Sequence, residues 1–66
     1  MLKLLDIPNN SIIHEPCSDG SAWFEYIHAD GMYSYCRTER GAIVHLGLSQ
    51  PLVPFGDGYR FAPEDN

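Results

Sequence analysis

Positive charge is scarce in this chain. Four Lys or Arg stand against nine Asp or Glu, a formal net charge of -5. Sequence-independent grip on a phosphate backbone depends on counterion release at a basic surface, so the balance argues against that class of partner. The acids are spread along the chain and not gathered in a block, which reads as solubility. Cysteine is equally sparse, with only Cys17 and Cys36. That is too few for a disulfide scaffold, and there is no Cys-x-x-Cys knuckle. No apolar run approaches the roughly 18 residues of a membrane span. Met1–Ile7 is too short for a secretory leader and no small-residue cleavage site follows it. The expectation is a cytoplasmic protein with reduced thiols and no membrane contact. Helical periodicity, internal repeats and low-complexity segments are also missing.

What is present points to strands. Hydrophobic residues make up 44% and aromatics 12% of the 66 residues, which favours a folded domain over a disordered one. The chain is read as one small β domain over 1–66, ordered over roughly 3–61, with 62–66 as a frayed tail. A domain this size buries only about 60% of its unfolded surface, so its core is marginal. Pro8-Asn9-Asn10-Ser11 is turn chemistry. The β-branched Ile12-Ile13 before Pro16 favours a strand over a helix. Cys17–Ser21 reads as a turn, Ala22–Ala29 as a strand, Met32–Thr38 as the next and Ala42–Leu46 as a third. Gly47–Pro54, broken by Pro51 and Pro54, reads as irregular, and Phe55–Phe61 as a tight turn into a last short strand. The expected fold is all-β: a small, strongly curled antiparallel meander, an SH3-like barrel of about five short strands.

Two turns set which side chains meet. Asp30-Gly31 suits a two-residue type I′ loop, because both central residues need positive φ. It pairs Ala29 with Met32, Ile27 with Ser34 and Glu25 with Cys36. One face then carries Trp23, Glu25, Ile27, Met32, Ser34 and Cys36. The other carries Phe24, Tyr26, His28, Tyr33, Tyr35 and Arg37. At the second turn, a three-residue Glu39-Arg40-Gly41 loop puts Cys36 opposite Val44, while a two-residue Arg40-Gly41 loop puts it opposite His45. The first is favoured, because Arg is poor at the first I′ position and Gly41 suits the left-handed site of a bulged loop. Ala42, Val44 and Leu46 then join the core, and Ile43 and His45 join the tyrosines.

These faces define the functional expectations. Phe24, Tyr26, His28, Tyr33, Tyr35, Arg37 and His45 form a candidate partner-binding surface, too apolar to be idle. Tyrosine suits protein interfaces, so a protein partner is expected, with a homodimer as one form of it. The competing reading of the face is cross-strand stabilisation alone. Stacking of single-stranded nucleic acid on the same rings is the runner-up, disfavoured by charge. A zinc site at His14, Cys17, Cys36 and His45 is a further alternative; its ligand types suit zinc, its spacing is merely permissive. Cys36, His45 and Glu25 can be read as nucleophile, base and orienter only in the less favoured register, and no oxyanion donors accompany them. Phe55-Gly56-Asp57-Gly58 lacks the glycines, lysine and helix of a phosphate loop. Trp23 is read as the core anchor of the sheet. The expectation is a non-enzymatic interaction module or small regulator, with no catalytic residues and no cofactor.

Overall fold

A computed structural model describes residues 2–15 and 21–63. It contains seven strands: β1 (Leu2–Lys3), β2 (Ser11–His14), β3 (Trp23–Ala29), β4 (Ser34–Thr38), β5 (Ile43–Val44), β6 (Pro51–Phe55) and β7 (Gly58–Phe61). A single 3-10 turn covers Leu4–Asp6, and no α-helix occurs among the described residues. All seven strands belong to one sheet, in the order β1-β6-β7-β2-β3-β4-β5. The chain is therefore all-β, with more strands than the sequence suggested. It is also not a pure meander: β2 and β7 run parallel, with Ile13 beside Tyr59 and His14 beside Arg60, while every other pairing is antiparallel.

Gly47–Pro54 departs most from its sequence reading. Its second half is β6, despite two prolines. Pro51 is the first residue of the strand, and Pro54 lies beyond the end of the two-residue β1, where β6 has no second neighbour. Proline is tolerated at both kinds of position, because no ladder donor is needed there. β6 then turns through Gly56 and Asp57 into β7, with Phe55 opposite Gly58. Gly56 has φ of 57° at the first central position, as a type II′ hairpin turn requires. Gly58 is needed for a different reason. A β-carbon there would run into the backbone carbonyl of Ile12, so only glycine lets β7 lie against β2.

The core is small. Leu4 and Ile7, from the turn after β1, pack with Ile13, Tyr26, Cys36 and Leu52. Phe24, Val44, Leu46, Tyr59 and Phe61 close over the margins. Full burial of each large side chain is worth ~1.5–3 kcal/mol. The carboxylate of Asp6 fastens the turn by accepting the Lys3 backbone N–H at 2.9 Å. The β6–β7 ladder runs on to Ala62, whose N–H donates to the Pro51 carbonyl at 3.0 Å.

The two hairpins of β3, β4 and β5 decide the faces. The β4–β5 loop is the bulged three-residue form: Cys36 stands opposite Val44, and Gly41 has φ of 87°. The β3–β4 loop is not the two-residue form. Ala29 pairs with Ser34, leaving Asp30–Tyr33 as a four-residue loop in which the Asp30 N–H donates to the Tyr33 carbonyl at 3.0 Å. Two extra loop residues leave every side chain on its expected face, because the strand period is two. A second departure does not. The register slips by one between Tyr26 and His28, a bulge at Ile27. Beyond it the faces of β3 exchange. Phe24 and Tyr26 point inward beside Thr38 and Cys36, and Trp23 and Glu25 point outward beside Arg37. Trp23 is thus half-buried on the outer face and is not the core anchor. Met32, assigned to the core by the two-residue loop, is 78% exposed in the longer one.

Candidate functional site

The bulge divides the seven expected partner-binding residues. Tyr26 is buried and Phe24 packs against the core, so neither belongs to the outer surface. His28, Tyr33, Tyr35, Arg37 and His45 do lie outside. Four of these form a continuous aromatic row. The His28 and Tyr35 rings stack at 4.7 Å, Tyr35 meets His45 edge-on at 5.0 Å, and Tyr33 meets His45 at 5.9 Å. The register explains the row: His28 is opposite Tyr35 on β3 and β4, and His45 follows β5 along the same face. Tyr33 and Ile43, both more than half exposed, and Met32 widen the apolar surface around it.

Hydrogen bonds hold the row in place. The Tyr35 hydroxyl donates to Asp30 at 3.1 Å, which holds its phenolic proton and pushes its pKa above the ordinary value. His45 places Nδ1 2.8 Å from the Ser34 carbonyl. A carbonyl only accepts, so Nδ1 carries the proton and Nε2 is the acceptor of the neutral ring. Arg37 is occupied as well, donating to Glu25 across the strands at 2.6 Å.

A second aromatic group lies at the opposite end of β3. Ile12, His14, Trp23, Phe55 and Asp57 line an open cleft of about 570 Å³ together with Gly56 and Gly58. His14 meets Phe55 edge-on at 4.9 Å, and the Arg60 guanidinium sits over the Phe55 ring at 5.1 Å. Sequence reasoning missed this group because it needs the β2–β7 parallel pairing and the outward turn of Trp23. Neither leaves a local mark. Both aromatic groups share the outer face, with the Glu25–Arg37 ion pair between them.

The metal alternative is not assembled. Cys36 is buried on the inner face, whereas His14 and His45 belong to the outer one, and Cys17 lies outside the described residues. Among the described residues no three His, Cys, Asp or Glu side chains are placed to hold a metal ion. The Cys36, His45 and Glu25 row is likewise divided between the two faces. Burial pushes the Cys36 thiol up in pKa, opposite to what a nucleophile needs, and its hydrogen bond to Ser34 offsets this only in part. No helix among the described residues is long and apolar enough to cross a membrane. No protein-family model, curated protein or solved structure matches the chain.

Proposed function

We propose that this chain is a non-enzymatic interaction module that binds another protein, or a second copy of itself, through the outer face of its sheet. The observation that carries the reading is the exposed row His28–Tyr35–His45–Tyr33 with Met32 and Ile43 beside it. Large apolar side chains held at fixed positions on a sheet surface cost little entropy to dock and bury much area. The nucleic-acid reading uses the same rings but gains nothing from charge, since Arg37 is already paired with Glu25. The reading places the protein in the cytoplasm, where Cys36 stays a thiol.

The same reading takes the sheet as curled toward an SH3-like barrel. Its support is the connection from β5 to β6. Those strands are five steps apart in the sheet order, about 24 Å if flat at ~4.8 Å per step. The seven Cα–Cα steps from Val44 to Pro51 reach roughly 25 Å only when fully extended. They also contain a turn, with the Gln50 N–H donating to the Gly47 carbonyl at 3.1 Å. A connection shortened by that turn favours a curled sheet over a flat one, while β1 and β5 remain the unjoined edges of an open sheet.

The test uses Tyr33→Ser, since Tyr33 is exposed and holds no core position. Cross-linking in cells with tagged wild type identifies the partner, and sedimentation measures self-association. The expected result is that Tyr33→Ser loses the complex while its melting temperature stays within a few degrees of wild type. A folded variant that keeps every complex overturns the reading. A complex that contains nucleic acid and weakens steeply with salt would replace it with the runner-up.

A further inference from the structure

We propose that the cleft between β2 and the β6–β7 turn receives a basic side chain, an arginine or lysine, from the partner protein. The inference rests on the reading of the outer face as a protein-binding surface and names the chemistry of one anchor on it. Trp23, His14 and Phe55 line the cleft with aromatic rings, and the acidic Asp57 lines it with them. Aromatic faces attract cations through their quadrupole, and a nearby carboxylate adds direction. Three other carboxylates of the chain are already engaged: Asp6 by the Lys3 N–H, Glu25 by Arg37 and Asp30 by the Tyr35 hydroxyl. Asp57 makes no ion pair or hydrogen bond with the described residues. The net charge of -5 favours cations in the same sense. One ring of the cleft already has a cation beside it: the Arg60 guanidinium lies over Phe55 at 5.1 Å. Arg60 is also a like charge beside the cleft, and it limits affinity.

The two opposed charges give a test with a predicted sign at each position. Trp23 is the only tryptophan, so its fluorescence reports on this cleft alone. The probe is N-acetyl-arginine amide, with N-acetyl-citrulline amide as its neutral counterpart, at constant ionic strength. The arginine probe should shift Trp23 emission in a saturable way and bind more tightly than citrulline. Asp57→Asn should weaken it about threefold, the scale of an exposed ion pair, and Arg60→Gln should tighten it. Equal binding of the two probes, no response to either, or changes of the opposite sign in the two variants would overturn the proposal. Failure here is separable from failure of the face. If the arginine probe is silent while Tyr33→Ser still loses the partner, the cleft assignment falls and the face stands. If the probe binds while Tyr33→Ser keeps every complex, the cleft stands as a cation site and the face falls.

Discussion

The Ser34 hydroxyl replaces a strand partner for Leu46. It donates to the Leu46 carbonyl and accepts the Leu46 N–H, both at 2.7 Å, just past the end of β5. Ser34 has no exposed surface, and the Cys36 thiol also reaches its oxygen at 3.8 Å. Ser34→Ala removes all three contacts and leaves two backbone groups without partners. Unsatisfied buried groups cost ~1–3 kcal/mol each. Unfolding in urea should show a loss of about 2–3 kcal/mol, against well under 1 kcal/mol for the exposed Ser49→Ala. Equal effects at the two sites would refute the bridging role.

Two glycines should respond differently to a methyl group. Gly41 has φ of 87° but open space around it, so Gly41→Ala should cost about 1 kcal/mol of backbone strain and leave the fold intact. Gly58→Ala drives a β-carbon into the Ile12 carbonyl, between backbone segments that cannot move aside. That variant should lose the β2–β7 pairing, visible as lost amide-exchange protection at His14 and Tyr59. Retained protection there would contradict the close approach.

Alkaline pH should destabilise the fold. Burial pushes the Tyr26 phenol above its ordinary 10.0, with the nearby Cys36 adding to the effect. Burial also pushes the Cys36 thiol above its ordinary 9.0. The hydrogen bond to Asp30 moves Tyr35 in the same direction. As pH rises, the unfolded chain gives up these protons first. It then binds fewer protons than the native state, and stability falls. The contribution is complete below about pH 9 and is lost as pH rises through the raised native values. A urea midpoint that stays level from about pH 8 to about pH 11 would contradict it.

Glu25 and Arg37 are direct cross-strand neighbours as well as an ion pair at 2.6 Å. Arg37 is half exposed, so the coupling is small. A double-mutant cycle with Glu25→Gln and Arg37→Gln should give roughly 0.3–1 kcal/mol, shrinking as salt is added. A coupling near zero at low salt would mean that the two charges are not held together in solution.

Much of this architecture is written locally. The β-branched and aromatic content of Trp23–Ala29, the bulged turn at Gly41 and the alternation of β4 were all legible. That alternation sends Ser34 and Cys36 inward and Tyr35 and Arg37 outward. Each depends only on neighbours in the chain and on the period-two geometry of a strand. All four rings of the aromatic row could therefore be placed on one face from sequence. The inward turn of Phe24 and Tyr26 could not. A one-residue bulge at Ile27 exchanges Phe24 and Tyr26 with Trp23 and Glu25, and no residue there announces it. β6 was hidden by its prolines, which are harmless because Pro51 opens the strand and Pro54 lies beyond the end of the two-residue β1. The parallel β2–β7 pairing joins segments far apart in the chain and brings Phe55 and Asp57 to His14 and Trp23. The sequence by itself determined that this chain forms strands, and which side of β4 meets the core. Only the tertiary structure decided which aromatic rings reach the surface together, because sheet order and bulges follow from long-range packing that local pattern does not encode.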